Sequence, residues 1–186
     1  MIIFKKVETE QEKNDIYRLR YEVYCREKNY LPHMQYPGQS EMDEYDPHSV
    51  HFIAKTGAQS VGTARLVLHN PIGFPMEQHY NFSVTSKEMN IEHTAEISRL
   101  VVMKQSTMSS EYRKSKITWG LFRVMHQEVK LLGIQHLCAA MGMGLWRLLN
   151  RCNIPFSQIG LPKEYYGGVC APFATNMKDI SPDIFS

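Results

Sequence analysis

The sequence predicts a mixed α/β domain: a sheet of parallel and antiparallel strands, with a central bulged strand and helices on both faces. The whole of 1–186 is expected to form a single domain. Three observations predict this. Segments with helical apolar spacing alternate with strand-like runs in the order strand–helix–strand–strand–strand–helix–strand–helix–strand–strand. A length of 186 residues, 43% hydrophobic and 22% charged, supports one sizeable core and excludes extended disorder. One strand, 94–102, carries charged residues where a buried strand wants apolar ones.

The first strand is read at 2–7 (IIFKKV). From about Glu10 to Lys28, Ile16, Leu19, Val23 and Tyr24 fall at helical spacing behind Thr9, a natural N-cap. Pro32, Pro37, Gly38 and Pro47 make 30–48 a long loop, of the kind that is usually functional. A hairpin follows, 50–56 and 61–69 around Gly57-Ala-Gln-Ser60. Residues 70–92 read as irregular with short helical turns, and 94–102 (TAEISRLVV) as a strong strand. After a polar loop at 103–114, a helix over 116–132 stops at Gly133. Then come a strand at 134–140, a helix at 143–152, and two closing strands at 155–161 and 164–170.

Charge narrows the function classes. The net charge of +2 makes no general case for nucleic acid. It conceals an acidic 1–50, with seven Lys/Arg against ten Asp/Glu, and a basic 103–136, with six against two. A basic segment in a near-neutral chain suits an acidic partner, although a solvated helix face explains it equally well. Cys25, Cys138, Cys152 and Cys170 form no CxxC pair, so reduced thiols and a cytoplasmic location are expected. No signal-peptide h-region and no membrane-length apolar run is expected from the sequence. His48 and His51 lack a third candidate ligand, so no metal site is expected. GxSxG, P-loop and GxGxxG motifs are absent.

The informative residues are charges set among apolar ones: Arg20 on the first helix, Arg65 in the hairpin, and Glu96 and Arg99 in strand 94–102. Burying them requires pairing, and Glu41, Asp43, Glu44 and Asp46 of the long loop supply partners. Asp43 and Asp46 are expected to clamp arginines bidentately. Glu96 and Arg99, three apart, point to opposite faces of a regular strand. A bulge near Ile97-Ser98 brings them to one side and frees backbone N–H groups. Such N–H groups beside a carboxylate suit acyl transfer, as oxyanion donors next to a base. The bland alternative is an edge strand whose charges face solvent. Met141, Met143, Leu145, Trp146 and Leu149 line either an acyl pocket or the core.

The run Arg20-Tyr-Glu-Val-Tyr24, the loop Glu41-Met-Asp43-Glu-Tyr-Asp46-Pro-His-Ser-Val-His51, Gly62-Thr-Ala-Arg65-Leu and Glu96-Ile-Ser-Arg99-Leu resemble the autoinducer-synthase branch of the GNAT superfamily. The likeness is nearest to PEP-CTERM/exosortase-associated acyltransferases and long-chain N-acyl amino acid synthases. It continues through Tyr30-Leu-Pro32, Pro75-Met-Glu77, Arg147-Leu-Leu-Asn-Arg151 and Glu164-Tyr-Tyr-Gly167, over about residues 15–172. The resemblance implies a GNAT-like fold whose bulged strand receives a pantetheine arm. It implies Glu96 as general base, grouped with Ser98 and Arg99. Arg20, Tyr24, Asp43, Asp46, Arg65, Leu100, Val101, Met141 and Trp146 are the implied substrate-side positions.

Two departures bear on the substrates. Acetyl-CoA-using relatives carry a glycine loop for the pyrophosphate, whereas Ser109-Ser-Glu-Tyr-Arg-Lys-Ser-Lys116 has no glycine. That favours an acyl carrier protein, met by Arg113, Lys114 and Lys116. Ala140-Met-Gly-Met-Gly144 stands where the nearest relatives imply a Met-Glu-Pro-like segment, a departure that implies either a different substrate or weak activity. The expected function is N-acyl transfer from a carrier-protein or CoA thioester to a small amine, without a tightly bound cofactor. The alternatives are an acyl-homoserine-lactone synthase using S-adenosylmethionine and a non-catalytic acyl or carrier-binding protein.

Overall fold

The computed structural model describes residues 1–84, 89–104, 110–165, 167–181 and 183–185, with 110–115 described by backbone only. Its contacts divide the chain into two compact units, one of 1–66 with 99–128, the other of 67–98 with 129–186. Among the described residues, eight strands and four α-helices, with parallel and antiparallel pairing, give the expected mixed α/β class.

In the first unit, β1 (Ile2–Lys6) pairs antiparallel with β2 (Ser49–Thr56), Ile2 opposite Thr56. A two-residue turn with Gly57 at φ 58° leads to β3 (Gln59–Val67). The Met103 N–H donates to the Val61 carbonyl at 3.0 Å, joining β3 to the end of β4 (Thr94–Val102). Helix α1 (Glu10–Tyr21) begins as expected, with Thr9 Oγ1 accepting from the Glu12 N–H at 3.2 Å. It does not continue as α-helix to residue 28. Glu22–Glu27 form a π-helical turn, closed where Lys28 N donates to Val23 O at 3.0 Å. The wider turn keeps Val23 and Cys25 buried and leaves the Tyr24 carbonyl to accept from the N–H groups of Tyr30 and Leu31. Such turns concentrate at functional sites.

Helix α3 (Ser110–Leu131) starts six residues before its expected first turn, because serines weaken a helix by only a few tenths of a kcal/mol each. It packs closely on the strands of this unit. A Cβ on Gly62 would lie 2.6 Å from Ile117 Cγ2, and one on Gly120 would lie 2.3 Å from the Phe4 ring. Glycine at both positions is what allows the approach.

In the second unit, the first half of β4 runs parallel to β5 (His136–Gly142), Glu96 opposite Cys138. β5 pairs antiparallel with β8 (Gly168–Asn176), Met141 opposite Ala171. Helix α4 (Met143–Arg151) buries Leu149 and stacks Trp146 on Phe173 with ring centroids 5.7 Å apart. A short helix, α2 (Pro75–Tyr80), buries Met76 and Tyr80.

The closing strands depart from expectation. The strand expected over 155–161 shrinks to β6 (Ser157–Gln158). It runs along β8 until it reaches Pro172, which accepts from Ile159 N but has no N–H to return, so the ladder ends. The single strand expected over 164–170 is a hairpin. β7 (Lys163–Tyr165) turns back at Gly167, φ 72°, and β8 then extends to Asn176, beyond the expected end. All four cysteines are free thiols.

Candidate functional site

Each unit buries charged or polar side chains, and the two sets are built differently. In the first unit, six charges close on one another. Arg20 leaves α1 and donates from Nη1 and Nη2 to the two Asp46 oxygens at 2.7 and 3.0 Å, and from Nε to Glu41. Arg99 donates from Nε and Nη2 to Glu41 Oε1 at 3.1 and 2.9 Å, and from Nη2 to Asp43 Oδ2 at 2.7 Å. Arg65 donates from Nη1 to Asp43 Oδ1 at 2.5 Å and Asp46 Oδ1 at 2.9 Å. Every carboxylate thus bridges two arginines, in the closed order Arg20–Glu41–Arg99–Asp43–Arg65–Asp46, with three charges of each sign.

The ring is buried: Arg20, Arg65 and Glu41 are 0% exposed, and Asp43 is its most open member, with 24% of its side chain exposed. A tyrosine face lies near each guanidinium: Tyr17 under Arg20 at 5.3 Å, Tyr24 under Arg99 at 5.7 Å and Tyr45 under Arg65 at 6.0 Å. The loop holds its own carboxylates. Asp43 N donates to Asp46 Oδ2 at 2.7 Å, Tyr45 N to Asp43 Oδ1 at 3.0 Å, and Glu41 N to the Tyr17 carbonyl at 3.0 Å.

Protonation follows this geometry. Burial alone would raise the Asp46 pKa, but hydrogen bonds and charge from Arg20 and Arg65 hold it well below the usual carboxylate range. Asp43 is likewise lowered, with Arg65 and Arg99 outweighing burial. Burial disfavours charge on Arg20 too, and Glu41 and Asp46 reverse that, raising its pKa. His51, under the ring with Nε2 3.3 Å from the Asp46 carbonyl and its ring edge-on to Tyr17, is pulled down to about 4, chiefly by burial. Its Nδ1 has no hydrogen-bond partner among the described residues.

The irregularity expected near Ile97-Ser98 falls on Arg99, whose φ is 50° within β4. A non-glycine residue there costs about 1–3 kcal/mol. Glu41 and Asp43, gripping the Arg99 guanidinium, supply what holds it.

The second unit contains Glu96, 2% exposed in the first half of β4. Its Oε2 accepts the Met76 N–H at 2.9 Å, one residue into α2, whose first residue is Pro75. Glu77 is committed to the backbone, accepting from Phe74 N at 2.9 Å and Val84 N at 2.7 Å. Tyr80, on the same face of α2 as Met76, is 7% exposed, and its hydroxyl has no hydrogen-bond partner among the described residues. Burial, then the fields of Cys170 and Glu96, push its pKa up to about 12. Its ring lies 4.8 Å from His79 and 6.3 Å from Tyr165, with Lys163 Nζ 5.8 Å from its centroid. The fully buried Cys138 thiol is raised well above its ordinary value, by burial first and then by Glu96 and Glu77.

The other expected site residues are more dispersed. Val101 packs with Leu19 and Val23, and Leu100 and Ser98 are half-buried in β4. Met141 is buried in β5, and the Trp146 indole N–H donates to the Phe156 carbonyl at 2.7 Å. Lys116 is exposed on α3, while the Arg113 and Lys114 side chains lie outside the described residues. Two residues were not assigned site roles from sequence. Glu41 was visible as one of four loop acids, but nothing ranked it above Glu44. Tyr80 gave no signal, because its setting depends on α2 meeting β4.

Among the described residues, no three metal-ligating side chains cluster, and no helix is long and apolar enough to cross a membrane. A family model described as N-acyl amino acid synthase FeeM matches residues 15–173. No curated protein sequence matches the chain. Among solved structures, it is similar to BjaI, a CoA-dependent acyl-homoserine lactone synthase with SAM and isopentyl-CoA. There the TM-score is 0.77 at 17% identity, covering 100% of this chain and 86% of that one. It is similar to the AHL synthase LasI, with TM-score 0.71 at 15% identity, covering 95% and 89%. It is also similar to FeeM, an N-acyl amino acid synthase from uncultured soil microbes, with TM-score 0.66 at 15% identity, covering 96% and 92%.

Proposed function

The chain belongs to the N-acyl amino acid synthase FeeM family, and we propose that it moves a fatty acyl group from an acyl-carrier-protein thioester to the amine of an amino acid. It is an acyltransferase of GNAT-like fold, as expected. The observation that carries the finer reading is Glu96: a carboxylate buried inside a strand and oriented by a backbone N–H from α2.

Aminolysis of a thioester needs an unprotonated amine. Glu96, directly or through a water, accepts the amine's proton as nitrogen attacks the carbonyl carbon. The carbon–sulfur bond then breaks, and the carrier leaves as its thiol after taking up one proton. The ring of the first unit is the scaffold in this proposal: it fixes the loop around Asp43 and the conformation of Arg99 in β4. The carrier preference rests on the glycine-free segment 109–116 and on the exposed Lys116 beside Arg113 and Lys114 in sequence.

The test is turnover with matched acyl chains on acyl carrier protein and on CoA, with an amino-acid mixture and S-adenosylmethionine present and products read by mass spectrometry. An N-acyl amino acid formed with higher kcat/KM from the carrier protein is expected. Equal or better use of acyl-CoA removes the carrier assignment. A lactone product with methylthioadenosine replaces the amino-acid acceptor. No turnover on any donor leaves the non-catalytic reading.

A further inference from the structure

The Tyr80 hydroxyl is a buried hydrogen-bonding group to which the mechanism above gives no task. Burying a hydroxyl without a partner is unfavourable. Phenylalanine fills the same space without that cost, so packing alone does not explain a tyrosine here. The surroundings are specific. Tyr80 lies one turn after Met76, whose N–H holds Glu96, and the Glu96 charge is felt at its hydroxyl. Its ring is fixed edge-on against His79 and flanked by Tyr165. His79 is itself tied down, its Nε2 3.2 Å from the Glu164 carbonyl and its own carbonyl accepting from Lys163 Nζ at 3.2 Å. The phenol is therefore held by ring contacts one helical turn from the residue whose N–H holds the carboxylate assigned as base.

We infer that Tyr80 donates a hydrogen bond to the thioester carbonyl oxygen and stabilises the oxyanion that forms when the amine attacks. This rests on the acyltransferase reading of Glu96 and adds a side-chain donor to it. In the step, nitrogen bonds to the carbonyl carbon, the C=O π pair moves to oxygen, and the amine's proton passes to Glu96. When the oxyanion collapses, C=O re-forms, the C–S bond breaks, and the departing thiolate is protonated. Tyr80 keeps its proton throughout. Its high pKa suits that task, because the phenol stays protonated, and a preorganised donor stabilises developing charge without reorganising.

The test compares the wild-type chain with Tyr80→Phe on a saturated fatty acyl thioester and on its dithioester counterpart, in which C=S replaces C=O. A developing thiolate accepts hydrogen bonds weakly, so an oxyanion donor matters far less to the dithioester. The expected result is a fall of about 10²-fold in kcat on the oxygen substrate, a much smaller change on the dithioester, and a melting temperature equal to or above wild type. Parallel losses on both substrates, no loss on either, or a lowered melting temperature would each overturn the inference, since a merely structural hydroxyl gives one of these. Failure of the wild type on both donors overturns the acyltransferase reading, and this inference with it.

Discussion

The first unit buries six charges that satisfy one another in a ring; the second buries the Glu96 carboxylate against a backbone N–H, and a tyrosine hydroxyl with no hydrogen-bond partner among the described residues. Both sets include a residue of β4, Arg99 in one case and Glu96 in the other, three positions apart in sequence. Cancelled charges hold a conformation: the ring ties the loop at 41–46, the end of α1 and the kinked residue of β4 together. Its groups are costly to unpair, which makes it rigid and poorly suited to exchanging protons. In the proposed mechanism it is the second set, Glu96 and Tyr80, that meets substrate. The contrast predicts that losing a ring residue costs stability, whereas losing Glu96 costs turnover.

The largest stability effect is expected at Asp46, the carboxylate that bridges the two most deeply buried arginines. Asp46→Ala strands Arg20 and Arg65 in a buried setting and should cost about 3–5 kcal/mol in denaturant melts. A loss within measurement error would break the comparison, since the ring would then be holding nothing. The same carboxylate has a lowered folded pKa, so its contribution is complete above its ordinary unfolded value and fades as pH falls below about 4.

His51 gives the next effect, in a separate pH window. Its folded pKa of about 4 lies below the unfolded value of about 6.5. Between those values the unfolded chain binds a proton that the folded chain refuses, so stability declines as pH drops. The decline should total about 3 kcal/mol. The groups facing the ring are Tyr17, Asp46, Arg20 and Arg65, and His51→Phe should flatten this part of the pH–stability curve. An unchanged slope in that variant would mean that other groups titrate there.

Asp43→Asn should sit lower still, at about 1–3 kcal/mol, because its carboxylate is the ring's most exposed and an amide keeps an acceptor for Arg65 or Arg99. A loss equal to that of Asp46→Ala would show that exposure does not grade the ring. The smallest effect is expected at exposed Lys116, where Lys116→Glu should raise the KM for acyl carrier protein by about 2–5-fold at low salt and by less at high salt. No change in KM would remove this side chain from the carrier surface.

Much of the ring was legible in the sequence, because a charge inside an apolar pattern must find a partner and the only acid-rich loop lay at 41–46. Arg20, Arg65 and Arg99 announced themselves in that way, and Asp43 and Asp46 were identified as their clamps. What stayed hidden was topology: that Glu41 closes the ring depends on where the π-helical turn sends the chain. The kink was expected near 97–98 and falls on Arg99, because side-chain anchoring, which local pattern does not encode, decides which residue takes the left-handed conformation. Tyr80 was invisible, since an aromatic residue on a six-residue helix has no local signature of the strand it meets. The C-terminal strands were misread because Gly167 and Pro172 act through pairing with β7 and β6, a register no local window contains.

The measurement that bears most directly on the proposed division between a ring that holds and a carboxylate that reacts is the pH–rate profile of Glu96→Gln, taken with its denaturant midpoint. Glutamine keeps an acceptor for the Met76 N–H and loses only the basicity. The predicted result is an unchanged midpoint with kcat lowered by at least ~10²-fold, the deficit shrinking at high pH as free amine accumulates. A folded variant with near-normal kcat would show that Glu96 is not the base, and that the second unit, like the first, buries its carboxylate for structure.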